Sequence, residues 1–269
     1  MGRQRLEIVP IMPLTWTHAP RPARMDPAGN STARRSDYST VEQSNERARP
    51  PAAGRMSRSG GLDLHFRDVV CRHGRLEAVA GVDLSVGAGE RIALTGTNGS
   101  GKTTLLRAVL GLHRQVDGQI LVGGRGSRTA AEWAWRRRAC AWIPQRPAAG
   151  RFPLLARELL ASSGAPAAAG EAAGRLGVGE LADRPLSSLS GGQLQRMHLA
   201  RAVGCVAAGA GVLLADEPTA ALDFEGQEEA AEVLTSLPVT VVVVTHDRAM
   251  AARCDRTLEM AAGRLREVR

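Results

Sequence analysis

The stretch GTNGSGKTT, Gly96 to Thr104, holds the single lysine of a 269-residue chain whose other 34 basic residues are all arginine. Either one lysine fell there by chance, or the position has a task that only lysine fills. The spacing is G-x-x-x-x-G-K-[ST], with Gly96, Gly101, Lys102 and Thr103 in register. In that pattern a glycine turn wraps backbone N–H groups around an anion, lysine reaches the terminal phosphates as a compact charge, and the hydroxyl ligates Mg²⁺. A guanidinium is wider and favours a forked partner, so arginine replaces it poorly. Downstream, VLLADEP ends an apolar run in Asp216 and Glu217. Acids at the carboxyl end of a buried strand face the ligand crevice of an open parallel sheet. Asp216 suits a Mg²⁺ ligand and Glu217 a group that polarises water. The alternative is a solvated acidic loop, but phosphate loop, metal and acid together form the recurring set for phosphoryl transfer. Between them, Ser190, Gly191 and Gly192 precede the helical pattern GGQLQRMHLARAV and expose N–H groups at a helix start, a second anion site.

The elements that must position these groups read as alternating strands and helices. LDLHFRDVV and GVDLSV alternate apolar and polar residues, as half-buried strands do. ERIALTG runs into the glycine turn and KTTLLRAVLGL leaves it with Leu105, Leu106, Val109 and Leu110 at helical spacing. The loop therefore sits between a strand and a helix, the context its chemistry requires. GQILVGG and ACAWIPQ are further strand candidates, and LLARELLASSG and AAAGEAAGRLGV are helical. GVLLADEP and PVTVVVVTHD are continuous apolar strands, the mark of a parallel sheet covered on both faces. The pattern predicts an α/β fold.

Composition narrows the class. The net charge is +8, yet residues 1–60 carry ten arginines against five acids, whereas residues 61–269 carry 25 basic against 22 acidic residues. A nearly balanced folded part with a basic tail argues against a nucleic-acid surface. Residues 1–60 show no hydrophobic period and are expected to be a disordered basic extension; Met25 and Met56 are alternative translation starts for it. Cys71, Cys140, Cys205 and Cys254 lie far apart, with no C-x-x-C spacing, and read as isolated buried thiols. The apolar run VTVVVVT is far short of the ~20 residues that span a bilayer. His198 reads as a packing or surface residue of its helix, and the WAWRRR stretch, Trp133 to Arg138, as a helix packing tryptophan on the core rather than an RNA platform.

In order along the chain, GTNGSGKTT, IPQ, LSGGQ, VLLADEP, AALD and VTHD resemble the Walker A, Q-loop, signature, Walker B, D-loop and H-loop of ATP-binding-cassette (ABC) ATPases. The resemblance covers residues 61–269. It implies an ABC-type P-loop NTPase fold: a RecA-like parallel sheet core, an antiparallel β subdomain and a small helical arm at about 147–190. It also implies ATP and Mg²⁺ as cofactors. Lys102 and the loop Gly96, Thr97, Asn98, Gly99, Ser100, Gly101, Thr103 and Thr104 would cradle the phosphates. Thr103, Gln145 and Asp216 would order Mg²⁺. Glu217 would act as base toward water, with His246 at the γ-phosphate. A second cassette, expected to be an identical copy, would pair head to tail. Ser190, Gly191, Gly192 and Gln193 would complete the partner's site, with Asp223 in the D-loop. The family stacks adenine on an aromatic residue, and here His73 of VVCRHGR aligns with it.

The same resemblance suggests a transport ATPase at the cytoplasmic face of a membrane, working with a separate permease and, in an importer, an extracellular solute-binding protein. Translation-factor cassettes carry two ATPase units, and DNA-repair cassettes carry a long insertion. Here only 85 residues separate Thr103 from Leu189. A regulator that has lost its acids would lack Glu217. The arm PQRPAAGRFPLLARELL is similar to that of zinc and manganese importers at Phe152, Pro153, Leu154, Arg157 and Glu158, which makes transition-metal uptake the expected task. Siderophore import and small-solute export are the alternatives.

Overall fold

The computed structural model describes residues 60–145 and 153–268. The extension expected over 1–60 falls, but for Gly60, outside the described residues, and so does Phe152 of the arm.

Two sheets form the frame. The larger has the order β5-β6-β7-β3-β8-β9. Its strands are β3 (Arg91–Thr95), β5 (Cys140–Ile143), β6 (Val212–Asp216), β7 (Thr240–Val244), β8 (Arg256–Ala261) and β9 (Arg264–Glu267). All pairs are parallel except β8–β9. The smaller sheet is antiparallel, ordered β2-β1-β4, with β1 (Leu64–His73), β2 (Leu76–Val86) and β4 (Val116–Val122). This is the α/β architecture expected, a parallel core with an antiparallel β subdomain and helices.

The unbroken apolar character of the central strands follows from what covers them. Leu213, Ala215, Val241, Val243 and Ala93 belong to one hydrophobic cluster. Val212, Leu214, Val242, Val244, Ile92 and Leu94 belong to the other. Side chains alternate across a strand, so both faces of β3, β6 and β7 are buried and neither can carry a polar residue without a partner. The second cluster includes residues of α1 (Lys102–Val109) and of the antiparallel sheet. The first includes α3 (Ala156–Ala161), α4 (Pro166–Arg175), α5 (Gly191–Ala207) and α6 (Phe224–Ser236).

The arm is compact. Glu158 caps α3 by accepting from the Leu155 N–H at 2.8 Å, and Arg157 ion-pairs with Asp183. The alanine-rich face of α4 brings Ala169, Ala172 and Ala173 into the core beside α5. The WAWRRR stretch lies in α2 (Ala130–Ala139), capped by Thr129 and Glu132 in a reciprocal capping box. Trp135 packs on the second cluster, and Arg136 is 1% exposed, its guanidinium donating to the carbonyls of Ile120 (2.7 Å) and Arg125 (2.9 Å). Cys71, Cys140 and Cys254 are buried and unpaired. Burial pushes the Cys140 thiol up to about 12 and those of Cys71 and Cys254 to about 11, so all three are inert. Among the described residues no helix is long and apolar enough to cross a membrane.

Candidate functional site

The phosphate loop runs from the end of β3 to the start of α1. Gly96 and Gly101 have φ of 127° and 108°, which side-chain-bearing residues rarely adopt. Space forbids a side chain as well. A Cβ on Gly96 would lie 2.1 Å from the Met260 carbonyl oxygen, and one on Gly101 2.1 Å from that of Ala78. The backbones of β8 and β2 thus press the loop into its curl from either side. Lys102 is 6% exposed, and its ammonium donates to the carbonyls of Gly96 (2.6 Å) and Thr97 (2.9 Å). Burial lowers its pKa, while the charges of Glu217 and Asp216 pull it back up.

Asp216 ends β6 and is 1% exposed. Its Oδ2 accepts from the Thr103 hydroxyl at 2.7 Å, and its Oδ1 is buried with no partner. Burial raises this carboxyl's pKa, opposed by the Thr103 hydrogen bond and by Arg107 and Lys102. A buried carboxylate oxygen without a donor, next to a hydroxyl on a phosphate loop, fits a hard divalent cation with oxygen ligands. The Ser100 hydroxyl is likewise buried and unpartnered.

Glu217 follows in the left-handed region, φ 51°, an uncommon state for a residue with a side chain. Its own N–H donates to the Val244 carbonyl at 2.9 Å, holding the backbone to β7. Its Oε1 is 3.1 Å from His246 Nε2, which sits just past β7. Burial raises the Glu217 pKa, and the His246 charge is the largest opposing influence. A buried acid with a raised pKa, held against a histidine, suits proton transfer to or from water.

The chain brings Lys102, Thr103, Asp216, Glu217 and His246 together, while His73 is placed against Thr104 of the same loop. His73 Nε2 is 3.5 Å from the Thr104 hydroxyl, and its ring meets that of His113 edge to face at 4.7 Å. A cavity of about 540 Å³ opens there between His73, His113, Arg72 and Gln115. His113 carries no motif, and nothing in its sequence surroundings marks it. Gln145 is exposed two residues past β5, whose Ile143 is in register with Ala215, so the ends of β5 and β6 lie side by side.

Ser190, Gly191, Gly192 and Gln193 form the exposed to half-buried start of α5. Ser190 Oγ accepts from the Gln193 N–H (3.2 Å) while Gln193 Oε1 accepts from the Ser190 N–H (3.0 Å). That capping box leaves the N–H groups of Gly191 and Gly192 open at the positive end of a 17-residue helix. Among the described residues no hydrogen bond joins this turn to loop 96–104. Asp223 caps α6 by accepting from the Gly226 N–H at 3.1 Å. Sequence reasoning missed Gln195, which is 1% exposed and donates to the Pro218 carbonyl at 3.0 Å, because only packing brings residues 23 apart into contact.

The family model described as ABC transporter matches residues 79–220, from β2 through the phosphate loop and signature turn to the loop after Glu217. The chain belongs to the ABC transporter family. It is similar to the hemin import ATP-binding protein HmuV of Streptomyces coelicolor, 38% identical over 235 residues, 80% of this chain and 79% of that protein. It is also similar to the macrolide export ATP-binding/permease protein MacB 1 of Aeromonas hydrophila, 37% identical over 217 residues, 76% of this chain but 33% of that protein. A bacterial ABC transporter cassette solved as a dimer superposes with a TM-score of 0.68 at 25% identity, covering 77% of this chain and 99% of that one. The ABC cassette described here is an ATP-hydrolysing subunit of a transporter. These relatives carry names of hemin import and macrolide export; neither is a zinc or manganese system.

Proposed function

We propose that two copies of this cassette pair head to tail around two ATP molecules and drive import of a metal-bearing solute through a separate membrane permease. The observation that carries the ATPase reading is the constellation Lys102–Thr103–Asp216–Glu217–His246, with Asp216 Oδ1 buried and unpartnered. In this reading Lys102 releases the Gly96 and Thr97 carbonyls and turns to the phosphates. Thr103, Asp216 and Gln145 would hold Mg²⁺, which when bound would neutralise phosphate charge. Glu217 takes a proton from the attacking water, and His246 braces Glu217 and reaches the γ-phosphate. His73 lies against the base. Ser190 and the free N–H groups of Gly191 and Gly192 serve the partner's phosphates. Head-to-tail pairing accounts for an anion-binding turn that no hydrogen bond links to its own phosphate loop. Catalysis is then mostly positioning and electrostatics, completed when the pair closes.

For cargo, the likeness to HmuV over about four fifths of both chains supports import of a metal chelate such as haem, and the arm residues Pro153, Leu154, Arg157 and Glu158 support the broader metal class. Small-solute export is the second reading, favoured by the likeness to MacB 1. The Glu217→Gln variant is expected to bind ATP and accumulate as a nucleotide-trapped pair with turnover lowered at least about a hundredfold. A variant turning over at the parent rate would show that another residue is the base. In a deletion strain, wild type but not Glu217→Gln is expected to restore cell iron, zinc or manganese by elemental mass spectrometry, or growth on hemin as iron source. Unchanged metals and unchanged growth on hemin would refute metal import and favour export.

A further inference from the structure

The first two turns of α5 hold the segment that follows Glu217 at three points, all on one face of the helix. Gly192 lies so close to the segment that a Cβ there would meet the Ala221 carbonyl oxygen at 3.2 Å. Gln195, one turn on, donates its Nε2–H to the Pro218 carbonyl at 3.0 Å, with both residues buried. Arg196 places Nη2 3.5 Å from Asp223 and donates from Nη1 to the Leu176 carbonyl at the end of α4 (3.2 Å). Positions 192, 195 and 196 fall on one helical face by spacing. Gly226, in the first turn of α6, makes room for that guanidinium, since a Cβ there would lie 2.7 Å from Nη2.

The consequence reaches Glu217. Its peptide bond joins it to Pro218, its φ is left-handed, and its N–H is anchored to Val244. The backbone around the acid is therefore fixed on one side by β7 and on the other by Gln195. The amide of Gln195 is 1% exposed, so the Pro218 carbonyl would lose its donor in a place water does not reach if Gln195 moved. One turn before Gln195, the same end of the helix carries the exposed to half-buried Ser190–Gly192 turn.

We propose that Gln195 is a positioning residue that ties the signature turn to the backbone of Glu217, braced by Arg196 on Asp223, and so couples the two ATP faces of a cassette pair. The inference rests on the head-to-tail pairing proposed above. In such a pair the turn at Ser190 meets the nucleotide on the partner's phosphate loop, while Glu217 serves the chain's own nucleotide. Seating the partner's ATP on α5 moves or locks Gln195, and Gln195 carries that to Glu217 through Pro218. Hydrolysis at one face then depends on occupancy of the other.

The test uses Gln195→Met, which removes the donor at similar size, and Gln195→Glu, which sets a carboxylate against the Pro218 carbonyl. Both are measured in the full chain, with thermal melts, ATP affinity in the Glu217→Gln background, and turnover against ATP concentration. Expected are ATP affinity within about twofold of the parent, turnover lowered about tenfold to a hundredfold, and a Hill coefficient reduced to about one, since small displacements of a reacting group cost rates of this order. If Gln195→Met does not fold, Gln195→Glu carries the test, and the reverse. Parent turnover with the parent Hill coefficient would overturn the coupling, and so would a parallel loss of ATP affinity and turnover. If the Glu217→Gln chain with native Gln195 forms no ATP-dependent pair, the pairing itself fails and the coupling falls with it. If that control pairs and the Gln195 variants behave as the parent, only the coupling is refuted.

Discussion

His198 supplies a pH dependence whose size follows from its surroundings. It sits in α5, and both ring nitrogens are buried with no hydrogen-bond partner. Burial, assisted by the Arg201 charge, pulls its pKa from 6.5 down to about 4. The unfolded chain takes up a proton near pH 6.5 that the folded chain refuses until about pH 4. The contribution to stability is therefore complete above about pH 6.5, falls as pH drops toward 4, and levels off below. At about 1.4 kcal/mol per pKa unit, the loss across that window is about 3 kcal/mol. Carboxylates that titrate in the same range add their own slope, so the measurement is a difference. Denaturant unfolding of wild type and His198→Leu is compared from about pH 7.5 to about pH 4.5. Leucine has similar volume and no polar atom to strand, so the variant is expected to match or exceed wild type near neutral pH. It is then expected to lead by about 2 to 3 kcal/mol near pH 4.5. Parallel stability curves for the two proteins would refute the reasoning, because they would mean that the imidazole titrates alike folded and unfolded.

Two further outcomes test the phosphate loop and its support. Lys102→Arg is expected to lower ATP turnover at least about a hundredfold with an unchanged melt, because a forked guanidinium cannot place one compact charge in a site that leaves lysine 6% exposed; near-normal turnover would overturn the assignment. Arg136→Met is expected to cost about 1 to 3 kcal/mol, read as a lowered melting temperature, since the buried Ile120 carbonyl loses the guanidinium donor while the Arg125 carbonyl keeps the Val122 N–H; a shift below about 0.5 kcal/mol would show that water replaces the guanidinium.

What the sequence made legible was chemistry written in short spacings. Gly96, Gly101, Lys102 and Thr103 lie within eight residues, and local backbone geometry alone brings them to one turn. Asp216 was legible because β6 is buried on both faces, which makes an acid at its end conspicuous. The same logic failed where burial is one-sided or the element is short. β8 (RTLEMA) and β9 (RLRE) mix charges with apolar residues and gave no clear period, yet β8 is the strand whose backbone closes over Gly96. β2 begins at Leu76 rather than Gly81, because pairing with β1 through His73↔Leu76 extends a strand that its own pattern ends early.

The motif glycines show why reading by chemistry alone is incomplete. Gly96 and Gly101 can be justified by phosphate approach, but the carbonyls of Met260 and Ala78, 2.1 Å from any Cβ there, demand glycine on packing grounds alone. Gly192 likewise exposes an N–H at a helix start and also clears the Ala221 carbonyl. In each case one residue type answers to a ligand and to a packing neighbour far away in sequence. The first demand is visible in a nine-residue window, the second only in the folded chain. The partner of Gln195 is a single carbonyl 23 residues away, a contact visible only in the folded chain, although it lies one residue past the acid on which hydrolysis is proposed to depend.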